Sequence, residues 1–232
     1  MWATTKHAIR RIPVLGPLLA KIWGRLLNRP FPGSAAYWEE RYSAGGNSGD
    51  GSYGGLAQWK AEVVNAVIRE NSVASVLDFG CGDGNQLTLA SYPTYVGLDV
   101  SPKALELCRS RFRSDKTKTF FLYDDFFGEP RGGATDLSLS MDVIFHLVEE
   151  DVYQTYMSRL FSSARRFVII YSSDFERPRQ FHERHWAFSS WVAANRPDWI
   201  LAKRIPNKYP YDQAAGTGSL SEFCVYHKKR ND

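Results

Sequence analysis

Cysteine is scarce in this 232-residue chain. Cys81, Cys108 and Cys224 stand far apart and match neither a metal-ligand spacing nor a disulfide framework, so a reducing, cytoplasmic setting is expected. Long apolar runs are missing too. The longest near the start, Ile12 to Ala20, carries two prolines and a glycine and is too short to span a bilayer. No signal-cleavage pattern follows it, and no internal repeat or low-complexity tract appears. Acidic residues are absent before Glu39, whereas Lys6, Arg10, Arg11, Lys21, Arg25 and Arg29 precede it. Without those six charges the formal +4 becomes about −2, so the body of the chain is no basic nucleic-acid binder.

Within that basic leader, Leu18, Leu19, Ile22, Trp23, Leu26 and Leu27 recur at helical spacing. Residues 1–30 are therefore expected to form an amphipathic segment, suited to peripheral contact with the inner face of a membrane. Packing of that stripe against protein is the competing reading. Residues 31–232 are read as one domain.

From Trp59 onward short apolar runs alternate with helical stretches. Strands are expected at Ser75–Phe79, Tyr95–Leu98, Thr119–Tyr123, Leu137–Met141 and Phe167–Tyr171. Helices are expected at Trp59–Ile68, from Ser101-Pro102 toward Phe112, at Glu149–Ser162 and at Trp186–Asn195. This rhythm predicts an α/β, doubly wound, mostly parallel sheet. The last two runs, Trp199–Ile205 and Ser221–His227, are expected to pair as an antiparallel C-terminal hairpin.

The stretch VLDFGCGDGNQ, Val76 to Gln86, ends the first strand in a glycine turn. In such sheets the ligand lies beyond the carboxyl ends of the strands, and glycines let it approach the backbone. A dinucleotide fingerprint would space its third glycine one residue later, and Asp78 and Asp83 would repel a pyrophosphate. These acids suit a positive group such as an amino-acid ammonium. Asp99, ending the next strand in YVGLDVS, has two oxygens that could accept from both ribose hydroxyls. An amino acid joined to a nucleoside describes S-adenosyl-L-methionine.

At these residues the chain resembles the class I S-adenosylmethionine-dependent methyltransferases. The resemblance runs from about Tyr37 to Lys228, through VLDFGCGDG, Asp99, FFLYDDFF and SMDVIFHL. It implies a Rossmann-like methyltransferase fold of seven strands with the last antiparallel. It further implies that Asp78, Gly80 and Gly82 line the methionine end, Asp99 the ribose, and Asp124, Asp125 and Phe126 the adenine. More narrowly, YWEERYSAGGNSGDGSYG and IPNKYPYD are similar to a bacterial group associated with surface-polysaccharide biosynthesis.

Methyl transfer is an in-line displacement, so the protein must align the acceptor and, for a hydroxyl, remove its proton. Candidates are Asp142 and His146 in SMDVIFHL, and His182 and His185 in HERHW, a loop leading into a helix. The two HERHW histidines have no completing cysteine or carboxylate cluster, so no metal site is expected. Tyr37, Trp38, Arg41 and Tyr42 precede a glycine and serine run, Gly45 to Gly55, read as a lid. In it Tyr37 and Arg41 would close on the cofactor, Arg41 meeting a carboxylate. Its alternative is a disordered linker. Cys81 reads as a packing residue.

The expected acceptor is a hydroxyl of a glycan, a lipid-linked glycan or a small metabolite. No N-P-P-Y-like segment follows the fourth strand, so no nucleic acid is expected. Two other classes stay open: a non-catalytic S-adenosylmethionine-binding module, and a methyltransferase acting on a soluble small molecule or protein. A nicotinamide oxidoreductase is disfavoured by the glycine spacing and Asp78.

Overall fold

The computed structural model describes residues 31–128 and 134–229. The amphipathic segment expected over residues 1–30 lies outside the described residues. The body forms one compact unit, Gly33–Asp232, built on a seven-stranded sheet. In chain order the strands are β1 (Ser75–Phe79), β2 (Thr94–Asp99), β3 (Lys118–Leu122), β4 (Thr135–Met141), β5 (Ala164–Ser172), β6 (Arg177–Gln180), β7 (Glu183–His185), β8 (Trp199–Ile205) and β9 (Glu222–Lys228). The helices are α1 (Ser34–Ser43), α2 (Gly54–Glu70), α3 (Pro102–Arg111), α4 (Tyr123–Gly128), α5 (Glu150–Ser162) and α6 (Phe188–Asn195).

The sheet order is β3-β2-β1-β4-β5-β9-β8, with β1 to β5 parallel and β9 antiparallel to both β5 and β8. Both the doubly wound sheet and the antiparallel closing pair match the expectation from sequence. The direction of winding reverses between β1 and β4, which opens a ligand crevice beyond their carboxyl ends.

Period-two alternation explains why the sheet is covered on both faces. Val76 of β1, Leu137 and Leu139 of β4, and Ile169 and Tyr171 of β5 join Trp59, Val64 and Val67 of α2 in one core. Leu77, Phe79, Val168 and Ile170 point the other way, onto Tyr153, Met157, Leu160 and Phe161 of α5. The N-terminus of α3 has its expected cap: Ser101 Oγ accepts from Ala104 N at 3.0 Å, with Pro102 in the first turn.

Three elements depart from the sequence reading. The segment Tyr37–Tyr42 lies within helix α1, and α2 begins at Gly54, inside the glycine run. The HERHW loop is part of a two-stranded antiparallel ribbon, β6–β7, with His182 at its turn. Among the described residues no helix is long and apolar enough to cross a membrane.

Candidate active site

Immediately after β1 the chain turns through Gly80, Gly82 and Gly84, all at positive φ. Side chains would be strained there and would also collide. A Cβ on Gly80 would lie 2.4 Å from Val143 Cγ2, and one on Gly82 would lie 2.4 Å from Ser48 Oγ. Asp99, at the end of β2, orients this turn: its Oδ2 accepts from Gly82 N and its Oδ1 from Ser101 N, each at 2.9 Å. Burial pushes Asp99 up to about 6, while these backbone donors pull it down. Each carboxylate oxygen retains lone-pair capacity for a ribose hydroxyl.

Asp78 lies beneath the turn, 7% exposed, with Oδ2 accepting from the Tyr95 hydroxyl at 2.8 Å. Burial pushes it up to about 7, against the Tyr95 bond; Asp99 pushes it further and Lys60 pulls it down. Asp83 departs from the expectation that it faces a positive ligand. Its Oδ2 accepts from the Tyr53 hydroxyl at 2.7 Å and from Ser48 N at 3.2 Å, and its own N–H donates to Ser48 Oγ at 3.0 Å. The glycine and serine segment is thus folded onto the cofactor turn, with Asp83 as its clasp. Despite burial, the bonds from Tyr53, Asn85 and Ser48 hold Asp83 below the usual carboxylate range.

Helix α1 is tied down at two points. Ser34 N donates to Glu149 Oε1 at 2.8 Å, and Glu39 Oε2 accepts from Ser101 Oγ at 2.6 Å. Arg41 faces its own loop: Nε donates to Asn47 O at 2.7 Å and the guanidinium lies 5.5 Å from the centroid of the Trp38 ring. Tyr37 stacks on His182 with ring centroids 4.6 Å apart. It therefore joins the histidine cluster.

That cluster gathers three of the four acceptor-side candidates. His146 Nδ1 donates to His182 O at 3.2 Å, the two rings stack at 5.4 Å, and Trp38 meets His146 edge-on. His185 Nδ1 lies 2.6 Å from Ser173 Oγ, and its ring stacks between Phe145 and Phe175. Burial pushes all three imidazoles down, His146 to about 3, so they are neutral at pH 7. Ligand atoms of His146, His182 and Glu183 lie within 4.8 Å of one another, close enough to share a divalent ion. The sequence did not point to this set, because His146 stands far from the adjacent pair His182 and Glu183.

Asp142, the fourth candidate, stands apart from the histidines. It follows β4 at φ +57 and pairs with Lys60 of α2, Nζ to Oδ2 2.5 Å. Sequence reasoning missed Lys60. The available sign was its place on the apolar stripe of α2, between Ala57, Ala61, Val64 and Val67, where a cation needs a partner. Of the residues expected at an adenine, Asp124 and Asp125 are exposed on α4, Asp124 lying 3.8 Å from Arg159, and Phe126 packs against Phe121 and Phe127. Cys81, Cys108 and Cys224 are buried free thiols. Cys81 is held well above the ordinary thiol range by its bond with Cys108 and by burial, as suits a packing role.

Residues 76–166 match the family model described as a methyltransferase domain. A small RNA 2'-O-methyltransferase of Arabidopsis thaliana is 32% identical over 108 residues, 41% of this chain. The match spans only 12% of that relative's length. Among solved structures, the methyltransferase domain of bacterial CtHen1-C superposes with a TM-score of 0.58 at 23% identity, covering 75% of this chain and 98% of that one. The N-methyltransferase NodS from Bradyrhizobium japonicum, in complex with S-adenosyl-L-homocysteine, gives 0.62 at 11% identity, with 85% and 99% covered. The fold is that of the class I S-adenosylmethionine-dependent methyltransferases. Residues 76–166 are similar to a methyltransferase domain, and solved structures that share the fold are bound to S-adenosyl-L-methionine or S-adenosyl-L-homocysteine. The glycine cradle and Asp99 fit that group on their own chemistry.

The raised value of Asp78 carries a pH prediction. In the cofactor-free protein its contribution to stability is complete below the ordinary carboxylate pKa and is lost as pH rises through about 7. A cofactor ammonium facing Asp78 needs the ionised form, so binding releases a proton, and affinity for S-adenosylhomocysteine is expected to climb from pH 6 to 8 and then level. Calorimetry in buffers of different ionisation enthalpy reads both effects. A flat profile with no proton release would put the ammonium elsewhere.

Proposed function

We propose that this chain moves the methyl group of S-adenosyl-L-methionine to a hydroxyl of a glycan, a lipid-linked glycan or a small metabolite. The carrying observation is the cluster of neutral histidines, His146, His182 and His185, beside the aromatic side chains Tyr37 and Trp38. A hydroxyl must lose its proton as it attacks the sulfonium methyl, and a neutral imidazole receives it. His182 is the base: it is more accessible than His146, and Glu183 Oε1, 3.7 Å from its Nε2, favours the imidazolium that forms. His146 orients it by donating Nδ1–H to its carbonyl. Flat aromatic faces suit the apolar face of a sugar ring.

A ribose hydroxyl of RNA is the second reading, supported by the similarity to the Arabidopsis small RNA 2'-O-methyltransferase. It reopens the expectation of no nucleic acid. Membrane contact through residues 1–30 belongs to the first reading, because a lipid-linked acceptor lies at a membrane surface. One assay separates them. Release of S-adenosylhomocysteine is measured with lipid-linked glycan in anionic vesicles, with free oligosaccharide and with single-stranded RNA. The first reading expects turnover on glycan, with vesicle activity falling when residues 1–30 are removed and when salt is added. Turnover on RNA alone would replace it. Cofactor binding without turnover on any acceptor would favour a non-catalytic module.

A further inference from the structure

We propose that the groove between the C-terminal end of α3 and strand β3 holds the backbone of a single-stranded nucleic acid. This goes beyond the methyl-transfer reading and stands whichever hydroxyl accepts the methyl group.

The groove encloses about 360 Å³ and is lined by Arg109, Arg113, Lys116 and Lys118 around Phe112 and Phe120. With Arg111, these cations stand beside a single acid, Asp115, so residues 109–118 carry a local +4. The near-balanced charge of the whole body conceals this cluster. Arg109 lies on the last turn of α3, and Arg113 and Lys116 follow in the turns that lead to β3. Little of the charge is used internally. Lys118 Nζ donates to Asp115 Oδ2 at 2.5 Å, and Arg109 Nη2 donates to Phe120 O at 2.7 Å, which fixes the guanidinium at the rim with further donors to offer. Arg113 and Lys116 are exposed and make no ion pair among the described residues.

Charge and shape together select the occupant. The cations call for an anion, and a concave groove does not match a flat bilayer. Guanidinium forks suit phosphate oxygens, which accept two parallel N–H donors. Phe112 is half-buried among the cations and offers a face on which an unpaired base stacks. A positive groove with aromatic side chains is the arrangement that tracks single strands. In a duplex the bases stack on one another and leave that ring unused. The groove is separate from the cofactor crevice: Ser101 caps α3 beside Asp99, whereas the arginines lie at the other end of this ten-residue helix, roughly 15 Å away.

The test is fluorescence anisotropy of the full-length chain with a labelled single-stranded oligouridylate. Affinity should fall as salt is added. Arg113→Glu combined with Lys116→Glu should weaken binding tenfold or more and flatten that salt dependence, with the thermal midpoint unchanged. Lys203→Glu, on the exposed strand β8, should bind as the wild type does. Inorganic polyphosphate and the matching duplex should bind more weakly than the single strand, since neither presents an unpaired base. An arm that needs no substitution uses the wild-type chain: the oligouridylate should shield Lys116, but not Lys203, from acetylation by an amine-reactive reagent, read by mass spectrometry. Equal binding by the wild type and the double variant would overturn the proposal by placing the contact elsewhere, the basic residues before Glu39 included. So would Lys116 left unshielded, polyphosphate or duplex binding as tightly as the single strand, or tighter binding to phosphatidylserine vesicles that shield the same lysine, which would assign the groove to a membrane surface.

Discussion

Replacing Asp99 with alanine is expected to weaken S-adenosylhomocysteine binding ten- to a hundredfold. The carboxylate holds Gly82 N and Ser101 N and offers its remaining lone pairs to the ribose. Each hydrogen bond to a charged group contributes about 1.5 to 3 kcal/mol, and about 1.4 kcal/mol is a factor of ten in affinity. Part of the loss arises from the turn itself, since Gly82 N–H is left without its acceptor. The Asp99→Asn variant removes the charge at nearly constant volume. Its amide keeps one acceptor oxygen but puts an NH₂ against a backbone N–H, so turn and ribose contact both suffer, with less change in packing volume. Calorimetry reads affinity, and thermal unfolding reads the cost to the fold. Unchanged affinity in Asp99→Ala would end the ribose assignment.

Much of the fold was legible because its strands are short, apolar and bounded by turn residues. Ser75–Phe79 is the strand expected, and Trp199–Ile205 forms the closing antiparallel pair with a strand displaced by one residue from Ser221–His227. What escaped was set by long-range contacts. Helix α1 is polar on much of its surface and held by Glu149 and by Ser101, partners that no local pattern reveals. Glycines at 54 and 55 argued against a helix start, yet α2 begins there because its burial of Trp59, Val64 and Val67 outweighs their low propensity. The β6–β7 ribbon is short and carries Arg177, Pro178, Arg179 and Gln180, all exposed, so it shows no alternation to read.

The candidate site divides the same way. Glycine spacing and Asp99 were readable because a backbone turn and a strand-end carboxylate are local features. Asp83 was read as suiting a positive ligand because its charge stands in the glycine turn; only the folded chain brings Tyr53 and Ser48 to it. Lys60 and Asp142 lie far apart in the chain, so their pairing, like that of His146 with His182, is a property of the sheet's winding.

Alanine at His182 is expected to slow methyl transfer to a hydroxyl acceptor about a hundredfold or more at saturating cofactor, the usual worth of a positioned general base. His146→Ala should also slow turnover, because it removes the Nδ1–H donor that orients His182, while His185→Ala should act more weakly through the Ser173 contact. Affinity for S-adenosylhomocysteine should hold in all three, since none of them touches the glycine turn or Asp99. The pH profile gives an independent readout. Burial lowers the His182 pKa, so the base is protonated and idle only well into acid; kcat/KM should rise through a pKa below 6.5 and stay flat toward neutrality. In His182→Ala that acid limb should vanish, which a merely structural loss would leave in place at reduced amplitude. If all three variants keep normal turnover and acceptor affinity, the histidine mechanism falls. Asp142 would then be the next base to test, with Lys60 occupying its Oδ2.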